Sequence, residues 1–171
     1  AASMERRRLA KTGMLRSAHM LGNEEEINFA ATDLLADTKL APELSNEAHY
    51  YRAKAYLDAG KTDGAMEDLK VLAKDTRNVY GAEAKYKVAQ IYFDGGQTDK
   101  AEQEVLNYIE VSTPHTYWLA RSFVLLADVY MKLGRNLDAK QYLLSLKQNY
   151  QADDDIAGMI ESRLEKLKTE N

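Results

Sequence analysis

Ala48-His49-Tyr50-Tyr51-Arg52-Ala53-Lys54-Ala55-Tyr56, followed by Gly60 and Ala65, recurs twice in altered form further along the chain. Ala84-Lys85-Tyr86-Lys87-Val88-Ala89-Gln90-Ile91-Tyr92 leads to Gly96 and Ala101. Ser122-Phe123-Val124-Leu125-Leu126-Ala127-Asp128-Val129-Tyr130 leads to Gly134 and Ala139. In each segment a small Ala lies three residues before a Tyr, the Tyr lies four before a Gly, and a second Ala lies five after it. The glycines are 36 and 38 residues apart. Periods of this size mark stacked units, each burying its apolar face against its neighbours.

The spacing has a physical reading as a helical hairpin. Two antiparallel helices need small side chains where their axes come closest. Ala53, Ala89 and Ala127 suit that role on the first helix, and Ala65, Ala101 and Ala139 on the second. Gly60, Gly96 and Gly134 fall where a left-handed C-cap ends the first helix. Lys61-Thr62-Asp63, Gln97-Thr98-Asp99 and Arg135-Asn136-Leu137-Asp138 each offer a polar N-cap for the second.

A weaker unit precedes these, with Met14 to Gly22 as the end of a first helix and Glu24 to Asp37 as the second. Asn23 is its expected cap, with Glu24, Glu25 and Glu26 at the positive helix end. After Asp153-Asp154-Asp155, the residues Ile156, Met159, Ile160, Leu164 and Leu167 form one apolar stripe, as in a helix covering the last repeat. Pro42 and Pro114 fit first-turn positions. The expected units are 4–40, 43–77, 79–112 and 114–150, with a capping helix over 153–168, all within one domain of 1–171.

Composition agrees. Hydrophobic residues make up 45% and charged residues 29%, a globular balance. Two prolines and nine glycines are sparse punctuation, as helices require. The net charge of −4 argues against nucleic acid as partner, since phosphate binding needs a concentrated basic face. Arg6-Arg7-Arg8 is a local basic run, read as a solvated helix face. The chain has no cysteine, which excludes disulfides and thiolate-ligated metals. No stretch approaches the roughly 18–20 apolar residues of a membrane span.

The three repeats resemble the tetratricopeptide repeat (TPR), whose unit places a small residue, a Tyr, a turn Gly and a second Ala at these offsets. The family's first-position Trp is replaced by His49, Lys85 and Phe123, and its late Pro is absent. The resemblance implies an all-α, right-handed α-solenoid of about four hairpins plus the capping helix. Tyr50 to Tyr56 and Tyr117-Trp118-Leu119-Ala120-Arg121 are also similar to stretches of bacterial cell-envelope repeat proteins, including those of the Tol–Pal system and outer-membrane assembly lipoproteins. That likeness implies a divergent bacterial type and a periplasmic or envelope location.

Catalytic constellations are not found. His19, His49 and His115 lie in different predicted helices without a metal-ligand spacing, and His49 reads as a packed core histidine. Gly95-Gly96 is a hairpin turn, not a phosphate loop. No cofactor, metal site or enzymatic activity is expected.

The resemblance instead implies a non-catalytic scaffold that binds a peptide or protein segment on the concave face lined by the first helices. Carried over by alignment, the candidate residues are Tyr50, Tyr51 and Lys54, then Tyr86, Lys87, Gln90 and Phe93, then Asp128 and Met131. The weak unit would add Thr12, Arg16 and His19. Aromatic residues are enriched in binding hot spots, and Tyr50 and Tyr86 are expected to be exposed while Val124 and Leu125 enter the core. The competing reading packs several of these aromatics between repeats. A carboxylate clamp used by some members is not reproduced, because Lys54, Gln90 and Asp128 stand at its Asn-bearing slot. Two further readings are self-association through the first hairpin and service as a regulatory segment of a larger repeat protein.

Overall fold

The computed structural model describes residues 2–169, so Ala1 and the last two residues lie outside it. Among the described residues there are nine helices and no strand. They are α1 (Ala2–Leu21), α2 (Glu24–Leu35), α3 (Pro42–Asp58), α4 (Thr62–Leu72), α5 (Val79–Asp94), α6 (Thr98–Glu110), α7 (Thr116–Lys132), α8 (Asn136–Asn149) and α9 (Ile156–Thr169). The all-α class and the hairpin repeat are as expected. The chain divides between Lys74 and Asp75 into two compact units, the first holding α1 to α4 and the second α5 to α9.

The turns explain the Tyr-to-Gly spacing. Gly60 has φ +72°, Gly96 +77°, Gly134 +74° and Gly22 +67°, a region that L side chains rarely enter. The Gly60 N–H donates to the Leu57 carbonyl at 3.0 Å, and the Lys61 N–H to the Tyr56 carbonyl at 2.7 Å. This paired closure is a Schellman motif, and it recurs at Gly96–Gln97 and Gly134–Arg135 with the Tyr92 and Tyr130 carbonyls as acceptors. The weak first unit closes in the same way at Gly22–Asn23.

Helix starts depart from the expectation in two places. Lys61, Gln97 and Arg135 occupy the N-cap positions of α4, α6 and α8, and none makes a side-chain cap bond. The neighbouring Asp63, Asp99 and Asp138 lie inside the first turn, where the helix dipole favours them. Pro114 precedes α7 rather than opening it, because that helix begins at Thr116 with His115 at the cap. By contrast, Pro42 is in the first turn of α3, and the Asn23 side chain accepts from the Glu26 N–H at 3.1 Å.

All six repeat alanines are buried, none more than 1% exposed. In the first unit Leu15, Ile27, Ala31 and Leu34 form a core with Ala48 and Ala55 of α3. In the second, Val105, Leu126 and Leu143 pack with Ile156 and Ile160 of α9. Each buried Leu, Ile or Val side chain among them contributes roughly 1.5–3 kcal/mol by leaving water. Helix α9 covers α7 and α8 and is pinned by Arg163, whose Nε and Nη2 donate to the Asp128 carboxylate at 2.9 Å each.

A further repeated contact joins the two helices of each full hairpin. His49 meets Asp68 at 2.7 Å, Lys85 meets Glu104 at 2.9 Å, and the Phe123 and Tyr142 rings lie 6.1 Å apart. These are equivalent positions, so the slot of the missing Trp is filled by a His–carboxylate contact, an ion pair and an aromatic pair in turn.

Candidate functional site

In the first unit, α3 presents Tyr50, Tyr51 and Lys54, all half-buried. The Tyr51 ring stacks on His19 of α1, centroids 3.9 Å apart and planes within 8°. Tyr50 leans on Tyr51 at 6.1 Å, and Lys54 Nζ lies 5.6 Å from the Tyr50 ring centre, a cation–π arrangement. Arg16 grips Glu47 with two bonds of 2.7 and 2.9 Å, holding that carboxyl below its ordinary range. Tyr51, Lys54, His19 and Asp58 line a cleft of about 370 Å³. Thr12 takes no part, since it is buried with its hydroxyl donating to the Arg8 carbonyl.

In the second unit the exposure expected of Tyr86 is overturned, because its ring is only 6% exposed and belongs to the core of α5 and α7. Burial raises its phenol pKa. The Tyr86 hydroxyl donates to Gln90 Oε1 at 2.9 Å and accepts from Arg121 Nη2 at 2.9 Å. Gln90 in turn donates to Asp94 at 2.8 Å. Arg121 also donates to the Tyr117 hydroxyl, which donates to Asp155. A polar chain thus runs from Asp94 to Asp155 with one guanidinium at its middle. Val124 and Leu125 are buried beside it, as expected.

The remaining candidates are half-buried. Lys87 pairs with Glu83 at 3.3 Å, Phe93 lies under Lys132 at 5.3 Å, Met131 packs against the core, and Asp128 is held by Arg163. Tyr50, Tyr51 and Lys54 are thus brought together in one unit, and Tyr86, Lys87, Gln90, Phe93, Asp128 and Met131 lie in the other.

One cluster escaped the sequence reading. Asp68, 2% exposed, accepts from Arg52 Nε at 2.9 Å and Nη2 at 2.7 Å, and its other partner is His49 Nδ1. Arg52 Nη1 also donates to Thr32 of α2. Burial pushes the Asp68 carboxyl up, but the bonds from His49 and Arg52 outweigh it and hold the pKa below the ordinary value. His49 is therefore a half-buried hydrogen-bond partner of Asp68, not a histidine packed inside the core. The signal was present: Ala65, Asp68, Leu69 and Leu72 share one buried face of α4, and an acid in that stripe demands cationic partners. Among the described residues, no group of three or more potential ligands could hold a metal ion.

Profiles of the tetratricopeptide repeat family match residues 47–75 and 120–148, which contain α4 and most of α3, α7 and α8. The chain carries tetratricopeptide repeats. Tetratricopeptide repeats generally mediate protein–protein interaction and are generally non-catalytic scaffolds. Two solved structures of nearly identical TPR-like repeats from Podosopora anserina, provisionally assigned to a kinesin light chain, share the architecture. One, a point-substituted form, superposes with a TM-score of 0.57 at 16% identity, over 95% of this chain and 93% of that one. The other gives 0.56 at 16% identity, over 95% and 94%. Likeness at that identity concerns the fold. No curated protein matches the chain. No helix of the described residues is long and apolar enough to cross a membrane.

Proposed function

We propose that this TPR protein is a scaffold that captures a peptide or protein segment on the first-helix faces of its repeats. The observation that supports it best is the α3 cluster, where Tyr50, Tyr51 and Lys54 stand half-buried beside a cleft instead of inside the core. Rigid aromatic rings with a cation alongside supply contact area at low entropic cost. In the second unit Phe93, Lys87, Gln90, Asp128 and Met131 are the corresponding first-helix residues. Tyr86 supports the reading indirectly, since its buried hydroxyl positions Gln90.

The test is a pull-down from native extract with Tyr50→Ala and Lys54→Ala combined. Capture is expected to fall to background while far-UV circular dichroism is unchanged. Capture equal to that of the unaltered protein refutes the α3 assignment. A bacterial envelope location belongs to the same proposal, and fractionation of the native host tests it.

A further inference from the structure

Among the described residues, six of the thirteen large hydrophobic side chains that are exposed fall before Ala30. Leu9, Met14, Met20 and Leu21 of α1 are 73%, 56%, 85% and 77% exposed, and Phe29 of α2 is 68% exposed. At 100° per residue the four α1 side chains fall on one side of the helix, opposite buried Leu15. Between Met14 and Phe29, the small residues Ala10, Gly13 and Ser17 leave a groove of about 700 Å³. A Cβ added to Gly13 would meet nothing within 4 Å, so a second helix has room to approach closely there. Isolated exposed hydrophobics need no explanation, but a contiguous apolar face with a groove marks an interaction surface.

The charges at its two ends indicate what covers it. Arg6 and Arg7 continue the same helix face one turn before Ala10, and both are exposed. Glu25 and Glu26 line the opposite end of the groove and are also exposed. The face is therefore basic at one end, apolar in the middle and acidic at the other, with Arg6 and Ser17 about 16 Å apart along α1. Such a face is complementary to its own inverted copy. A two-fold axis near Gly13 would set Arg6 and Arg7 of one copy at the level of Met20 of the other, at the Glu25–Glu26 end. The same pairing repeats at the far side of the axis, which is the signature of an isologous contact.

We propose that this α1–α2 face binds a second copy of the chain, with the two α1 helices antiparallel and crossing at Gly13. The apolar centre supplies the affinity, and the charged ends fix the register. The inference goes beyond the peptide-binding reading and uses none of Tyr50, Lys54 or the second-unit candidates.

Analytical ultracentrifugation across a concentration series tests it. The unaltered protein is expected to pass from monomer to dimer, and the dimer to weaken with added salt. Arg6→Glu with Arg7→Glu should weaken the dimer at least about tenfold, and so should Glu25→Lys with Glu26→Lys. An equimolar mixture of the two variants should restore it as a heterodimer, because both ends then match again. All altered side chains are exposed, and circular dichroism of each variant alone verifies the fold. A protein that stays monomeric at the highest concentration overturns the proposal. So does a dimer indifferent to both charge reversals, or a mixture that fails to recombine.

Discussion

Replacing Asp68 with Ala removes a buried carboxylate that Arg52 grips twice and His49 contacts once. Arg52 keeps only Thr32 as a bonded partner in compensation. Deleting one member of a fully buried ion pair costs about 3–5 kcal/mol, because the other charge is stranded. The Arg52 and His49 side chains retain 19% and 16% exposure, so water relieves part of that penalty and about 2–4 kcal/mol is expected. A domain the size of the first unit has a total stability of about 4–11 kcal/mol. The loss is therefore a large fraction of it. Urea denaturation followed by circular dichroism should show a midpoint lower by about 1–2 M, and hydrogen exchange should localise the loosening to α2, α3 and α4. Asp68→Asn, which keeps one acceptor, should lose about half as much. The other repeats hold the remedy. Arg52 stands where Val88 and Leu126 are buried, and Phe123 faces Tyr142 where His49 faces Asp68. The triple change His49→Phe, Arg52→Leu and Asp68→Tyr should accordingly recover most of the stability lost in Asp68→Ala, as apolar replacement of a buried ion cluster often does. The pH dependence has a definite sign. The folded pKa of Asp68 lies below its ordinary value of 3.8, so the stabilisation is complete above that value and fades as pH falls below it. Asp68→Asn should flatten that acid limb. A cost below about 0.5 kcal/mol for Asp68→Ala, with the acid limb unchanged, refutes the assignment.

Ala89→Leu, at a site 1% exposed, should destabilise the second unit by roughly 1–3 kcal/mol through overpacking; an unchanged melting temperature means that the repeat register is misassigned. Gly96→Ala and Gly158→Ala should act in opposite directions. The first forces a Cβ into φ +77° and should cost about 1–2 kcal/mol, whereas the second lies within α9 with open space around it and should gain about 0.5–1 kcal/mol in thermal denaturation. Arg163→Ala should cost about 1 kcal/mol and speed exchange of α9 amides, since the bidentate bond to Asp128 holds that helix on α7; unaltered α9 protection counts against the pinning role.

The hairpins were legible because they rest on local rules. A Tyr four residues before a Gly places the Tyr carbonyl where the N–H of the residue after the Gly reaches it, and the alanine offsets follow from helix periodicity. These choices involve residues within a few positions of each other, so a single sequence determines them. What Tyr86, His49 and Asp68 do was decided elsewhere. Tyr50 and Tyr86 both precede their repeat Tyr by six residues, yet Tyr50 stays half-buried while Tyr86 enters the core, because α7 packs on α5 there and brings Trp118 to its ring and Arg121 to its hydroxyl. The Asp68 cluster likewise depends on side chains 16 and 19 residues away meeting across a helix interface. Periodicity assigns a residue to a face of its helix. Whether that face meets water, carbon or an opposite charge depends on the helix packed against it, and only the tertiary structure brings that helix into contact.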